Sequence, residues 1–369
     1  MGTKALRNRQ KNAVPTEFTL AVECCRWTNE PGRANAIAEA AAIADWQAFL
    51  ATVQRHRVAG LAWNALHSLG IPIPEATQSK LSTRANAIAA HGLQAAVQSA
   101  ALSAALDHAA ISHLFVKGLP VGALAYSAPF IKHSWDIDLL IDERRVEEAA
   151  ALLDHLGFEV VFPDIGPDWS RLARWHQVQK DSAWHHRQTG RIVELHSRLA
   201  DNPLLIPTVG ISSPQQRVSV ADGISLPTLA WPELFAHLCV HGASSAWFRL
   251  KWIGDLAALL VRSGSDLEEL YQGTLHLGAG RSAAQALLLA HRLFDIPIDG
   301  RLLGLLNSSA ANRWLASAAL GQLLSPEPGG RIFGTGMIHL SQFLLLAGFR
   351  FKAIEARRQV AAARSNLFD

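Results

Sequence analysis

Apolar positions recur along the chain with two different periods, and the change of period divides it. From about Phe18 to Leu69 the spacing is helical: Trp46, Phe49, Leu50 and Val53 fall at i, i+3, i+4 and i+7. Ile71-Pro-Ile-Pro74 stops that run. Residues 77–111, rich in Ala and poor in breakers, predict one long helix or two. At 113 the texture changes. His113-Leu-Phe-Val-Lys-Gly118 is a short apolar run closed by Gly and predicts a strand. Leu119–Tyr126 predicts a helix, and the alternating Asp136-Ile-Asp-Leu-Leu-Ile-Asp142 a second strand. Glu143–Leu156 predicts a helix with acids in its first turns, where the macrodipole favours them. Phe158–Phe162 reads as a third strand, a Trp-rich stretch follows, and Arg191-Ile-Val-Glu-Leu-His196 reads as another strand. Helices resume at Trp231, with breaks near 264, 297, 307 and 328. The order predicts an α+β chain: a disordered tail over 1–15, a helical region over 16–111, a small αβ core over 112–228 and a helical domain over 229–369.

Composition adds a bound and an asymmetry. Of 369 residues, 49% are hydrophobic and 18% charged, which supports a sizeable core and excludes global disorder. The formal charge of +3 is a property of the ends. Lys4, Arg7, Arg9 and Lys11 place +4 in the first twelve residues, and residues 350–369 carry +3, leaving residues 13–349 at −4. A mildly acidic body is a poor platform for duplex nucleic acid. Cys24, Cys25 and Cys239 make neither a disulfide framework nor a CxxC metal site, which suits a reducing, cytoplasmic compartment. The N-terminus has basic residues without a following apolar segment, so no signal peptide is expected. Met337–Phe349, interrupted by His339, Ser341 and Gln342, is too short and polar to span a bilayer, and no membrane association is expected.

Candidate chemistry concentrates in the αβ segment. On a strand, Asp136 and Asp138 share one face. Two carboxylates so placed repel, and a divalent cation resolves the conflict. Hard Mg²⁺ takes one or two carboxylates together with water and substrate phosphates. Ile137 and Leu139–Ile141 put the pair at the start of a buried strand; the plainer alternative is an exposed strand end carrying two acids. Upstream, Lys117 and Gly118 precede an expected helix start, where backbone N–H groups face an anion, Gly permits close approach and Lys117 adds a point charge. Downstream, Glu194 is the third acid that a two-metal transfer site needs, able to share a metal and to accept a proton from an attacking hydroxyl. His196 falls on the same face as Glu194, with a structural histidine as its alternative reading. His185 and His186 would point to opposite faces of a strand, which argues against a shared Zn²⁺. Trp169, Trp175, Trp184, Trp231, Trp247 and Trp252 read as core or interface anchors rather than base-stacking platforms.

These residues together resemble a known family. Phe115-Val-Lys-Gly-Leu-Pro-Val-Gly-Ala-Leu-Ala-Tyr126, Lys132-His-Ser-Trp-Asp-Ile-Asp-Leu-Leu-Ile141 and Val193-Glu-Leu-His196 are similar to the KG turn, DxD strand and acid-Leu-His strand of the uncharacterised bacterial nucleotidyltransferases of the DNA polymerase β superfamily. Pro232–His241 and Arg249-Leu-Lys-Trp-Ile-Gly-Asp255 resemble that family's helical part, so that the likeness spans roughly residues 105–262. The chain departs from the pattern in having Lys132 where Arg is common, Glu194 where Asp is common, and Ser244 and Ser245 where a second His often follows. The resemblance implies a polymerase β-like core with helical flanks. It also implies transfer of a nucleotidyl group, AMP from ATP as the first choice, to a small-molecule or peptide hydroxyl, as in natural-product tailoring. Asp136, Asp138 and Glu194 would hold two Mg²⁺, with Mn²⁺ as a substitute. Lys117, Gly118, His241, Arg249 and Lys251 would bind the nucleotide, and the bland reading of Lys251 is an i, i+4 pair with Asp255. Two alternatives stand beside this one: phosphoryl rather than nucleotidyl transfer, and a nucleotide-binding module without turnover.

Overall fold

The structure is a computed structural model and describes residues 14–27, 32–325 and 336–365. The expected tail falls, up to residue 13, outside the described residues. Four short helices come first: α1 (Thr16–Cys25), α2 (Arg33–Ala41), α3 (Trp46–Arg55) and α4 (Ala59–Ser68). A single long helix, α5 (Glu75–His108), covers the Ala-rich run. The αβ segment follows as β1 (His113–Phe115), α6 (Leu119–Tyr126), β2 (Asp136–Ile141), α7 (Val146–His155), β3 (Phe158–Phe162), α8 (Trp169–Val178), β4 (Asp181–His186), β5 (Ile192–His196), β6 (Gln215–Ala221) and β7 (Ile224–Leu229). Helices then continue as α9 (Glu233–Ser244), α10 (Leu250–Ser263), α11 (Leu267–His276), α12 (Gly280–Phe294), α13 (Gly300–Ser308), α14 (Ala310–Leu324), α15 (Gly336–Gln342) and α16 (Phe349–Ser365).

Contacts group these elements into two compact units rather than three consecutive segments. Thr83–Asp201 and Thr208–Leu234 make the αβ unit; the residues up to Ser82, Asn202–Pro207 and those from Phe235 onward make the helical unit. The N-terminal helices belong with the C-terminal ones for a simple reason. The apolar face of α1 packs on α2, α3 and α4 and also meets α10 and α12, so Leu20, Ala21 and Val22 are buried in one helical core. Within that unit Gly242 is required by close approach. A Cβ there would lie 2.4 Å from the fully buried Trp247 ring, whose Nε1 donates to Gln285.

The αβ unit holds a five-stranded sheet in the order β1-β2-β5-β4-β3, with β6 and β7 as a separate antiparallel hairpin. All neighbours are antiparallel except β2 and β5, which run parallel. Ile137, Leu139 and Ile141 of β2 and Val193 and Leu195 of β5 face a core completed by Ala95, Ala96, Leu102 and Leu106 of α5 and by Val146, Ala149, Ala150 and Leu153 of α7. Fully burying each of these larger side chains contributes roughly 1.5–3 kcal/mol. Alternation then sends Asp136, Asp138, Glu194 and His196 to the other face.

Four details differ from the pattern-based expectation. Glu143–Arg145 forms a 3₁₀ turn, capped by the Asp142 side chain, before α7 proper begins. The Trp-rich stretch contains both a helix, α8, and a strand, β4. The hairpin β6–β7 has no counterpart in the expected elements. The strand expected over 113–118 ends at Phe115 because Gly118, at φ +64°, turns the chain into α6.

Candidate functional site

The site is assembled by strand register. Asp138 of β2 stands opposite Glu194 of β5, and Leu140 stands opposite His196. Parallel pairing brings both acids to the same level of the sheet, on the face away from the core. One oxygen each of Asp138 and Glu194 and one nitrogen of His196 lie within 4.8 Å of one another. From the next strand edge, the backbone N–H of Val116 donates to the Asp138 carbonyl at 3.1 Å, which fixes the approach of Lys117. The Lys117 Nζ then sits 2.5 Å from Asp138 Oδ1 and 4.0 Å from Glu194 Oε2. Gly118 follows in a backbone conformation, φ +64° and ψ −123°, that L side chains rarely adopt, and a Cβ would meet Ser134 Oγ at 3.0 Å.

His196 lies between the acids. Its Nε2 is 3.2 Å from Asp138 Oδ1 and 3.5 Å from Glu194 Oε2, and its Nδ1 is 3.7 Å from Asp181 Oδ2. Asp181 pairs with Lys180 at 2.8 Å, and Lys180 reaches Asp201 at 3.7 Å. Beneath this row His176 is held by Ser182 Oγ at 2.9 Å and Ser197 Oγ at 3.0 Å, and Ser182 also accepts from Trp184 Nε1 at 3.0 Å.

The electrostatics follow from burial opposed by pairing. Asp138 is 4% exposed, which alone would raise its carboxyl; Lys117 and the hydrogen bond from His196 hold it well below the usual carboxylate range. Burial alone would lower His196, but the bonds to Asp138 and Glu194 lift it above the ordinary histidine value. Burial also opposes charge on Lys117 and Lys180; Asp138 and Glu194 lift the first, and Asp201 and Asp181 lift the second. Asp181 is held low, against burial, by Lys180 and His196. For His176 burial outweighs the raising effect of Asp181 and pushes the imidazole down to about 4.

The sequence-predicted residues divide between the units. Lys117, Gly118, Asp136, Asp138 and Glu194 all belong to the αβ unit. Asp136 stands one pleat before Asp138 on the same face, half-buried, outside the trio of converging ligand atoms. Its carboxylate makes no hydrogen bond or ion pair among the described residues. His241, Arg249 and Lys251 belong to the helical unit. There His241 packs edge-on against Trp252, and the Arg249 guanidinium lies 5.1 Å over the Phe248 ring. Sequence reasoning missed Lys180, Asp181 and Asp201. Their signal was the Lys-Asp pair opening a strand whose first residue pairs with His196, and it is invisible until β4 is seen to be a strand.

A family model described as "Uncharacterised nucleotidyltransferase" matches residues 43–295, more than half of the chain, and the chain belongs to that family. The match takes in the whole row from Lys117 to Asp201. No curated protein and no solved structure matches the chain. Among the described residues, no helix is long and apolar enough to cross a membrane.

Proposed function

We propose that the αβ unit is a metal-dependent nucleotidyltransferase centre of polymerase β type. It would move a nucleotidyl group, AMP from ATP as the first choice, to a hydroxyl of a small molecule or peptide and release pyrophosphate. The reading rests on family membership and, above all, on the convergence of Asp138, Glu194 and His196 at one level of two parallel strands. The donor set fits a divalent cation. Asp138, Glu194, Asp181 and Asp201 carry four negative charges against two from Lys117 and Lys180, which leaves two uncompensated before His196 is counted. Asp138 and Glu194 would hold the ion, Mg²⁺ or Mn²⁺, with Asp136 completing a two-ion arrangement once phosphate oxygens join. A bound ion would supply positive charge to the reacting phosphate.

The other work falls to the chain. Glu194, whose side chain is one-third exposed, would take the proton from the acceptor hydroxyl as its oxygen bonds to phosphorus. Gly118, at the start of α6, would let the triphosphate approach backbone N–H groups. The test is a screen of the four NTPs with Mg²⁺ or Mn²⁺ and a panel of small alcohols and peptides, reading pyrophosphate release and product mass. A nucleotide-bearing product, lost in Asp138→Asn, is expected. A product carrying only phosphate would establish phosphoryl transfer instead, and metal-dependent NTP binding without any product would establish a binding module.

A further inference from the structure

We propose that Lys117 is a built-in counter-ion that occupies the metal position on Asp138 and sets the metal affinity of the site. Three observations point to this. The Lys117 ammonium lies 2.5 Å from Asp138 Oδ1, one of the oxygens in contact with His196, and within 4.0 Å of Glu194 Oε2. It therefore stands among the same donor atoms that converge to hold an ion. The neighbouring cation cannot take over its place, because Lys180 is committed to Asp181 at 2.8 Å and Asp201 at 3.7 Å. Finally, Asp138 is 4% exposed, so water compensates its charge poorly and Lys117 is the nearest compensation available.

A divalent ion at Asp138 Oδ1 would place two cations against one carboxylate oxygen. Metal–oxygen bonds are about 2.0–2.1 Å long for Mg²⁺, shorter than the lysine contact, and the two cations repel. Metal entry must therefore expel Lys117 from Asp138, and the cost of breaking that ion pair is subtracted from metal affinity. The proposal rests on the metal-dependent reading above and deepens it: without metal, Asp138 is already paired by Lys117, and metal competes with the protein's own side chain. A lysine whose only task is to hold phosphate would behave differently, since removing it would leave metal binding unchanged or weaker.

The test is Mn²⁺ binding to the full chain without nucleotide, read from the electron paramagnetic resonance signal of free Mn²⁺. Wild type, Lys117→Met, Lys117→Arg and Asp138→Asn are compared. Lys117→Met removes the competitor and keeps the stem; it should bind Mn²⁺ at least tenfold more tightly than wild type. Lys117→Arg keeps the competing charge and should bind no more tightly than wild type. If Lys117→Met is unfolded without metal, the same titration is followed by near-ultraviolet circular dichroism, and recovery of the folded signal by Mn²⁺ is the expected result. Wild-type binding that is abolished in Asp138→Asn but not tightened in Lys117→Met, or a Lys117→Met chain that Mn²⁺ fails to refold, overturns the counter-ion assignment and leaves the metal site standing. Absence of Mn²⁺ binding in wild type and in folded Lys117→Met alike overturns the metal-dependent reading itself.

Discussion

Replacing Asp138 by Asn in the metal-free protein isolates what holds the two central strands together at the site. The substitution keeps the shape of the side chain and removes one charge. Asp138 is 4% exposed and the Lys117 side chain 17% exposed, so the pair is largely shielded from water. Breaking a buried pair and stranding one partner costs about 3–5 kcal/mol. Glu194, already 4.0 Å from the same ammonium, remains to compensate in part, which places the expected cost near the lower end, at about 3 kcal/mol. At about 1.4 kcal/mol per decade, that raises the opening equilibrium of the strands roughly 100-fold. Hydrogen–deuterium exchange reads this directly: amides in residues 136–141 and 192–196 should exchange about two orders of magnitude faster. Asp138→Asn combined with Lys117→Met removes both charges and should return exchange to within about tenfold of wild type, because a buried pair replaced as a whole is close to neutral. Exchange in both strands that changes less than threefold in the single variant, or a double variant as fast as the single one, would refute the reasoning.

If Glu194 is the proton acceptor, as proposed, Glu194→Gln should lower turnover by at least ~10²-fold while changing the nucleotide KM less than about threefold, since such a group acts in the transition state; initial-rate kinetics decide, and an unchanged kcat removes Glu194 from the chemistry. Gly118→Ala forces an L residue into φ +64° against Ser134 Oγ and should destabilise the αβ unit by about 1–3 kcal/mol, seen as a lowered thermal transition; an unchanged transition would show that the turn relaxes freely. His176 has a folded pKa of about 4 against an ordinary 6.5, so its contribution is complete above pH 6.5 and is lost as pH falls towards 4. That difference is worth about 3 kcal/mol. Unfolding midpoints in urea should therefore fall across that window in wild type and fall less in His176→Asn; parallel curves would contradict it.

Much of the site was legible because strand alternation is a strong geometric rule. Asp136, Asp138, Glu194 and His196 share a face in the sequence pattern and in the structure, and the Lys117-Gly118 turn marks the strand-to-helix change. That Glu194 would lie beside the aspartate pair was expected; that Asp138 rather than Asp136 stands level with it was not legible. It depends on β5 pairing parallel to β2 with Asp138 level with Glu194, and no local pattern encodes a register across 56 positions. Lys180 and Asp181 were hidden because β4 reads Asp-Ser-Ala-Trp-His-His, a strand with two apolar residues that is stabilised by its neighbours rather than by its own propensity. The grouping of α1–α4 with the C-terminal helices was hidden for a similar reason: amphipathic helices announce that they pack, not on what.

The place of β5 in the sheet has a consequence for how the site comes into being. It is the last strand of the five to be synthesised, yet it lies between β2 and β4, with β3 beyond them. A chain that has emerged only as far as β4 carries Asp136, Asp138 and Lys117 but lacks the strand that brings Glu194 and His196 beside them. Insertion of β5 joins the two parts of the sheet, and the same event brings Asp138, Glu194 and His196 to one point. Such pairing closes a long loop and is slower than the formation of the flanking helices. If the trio binds metal as proposed, that binding is also a clock: the time at which it first becomes measurable during refolding or translation reports the closing of the sheet.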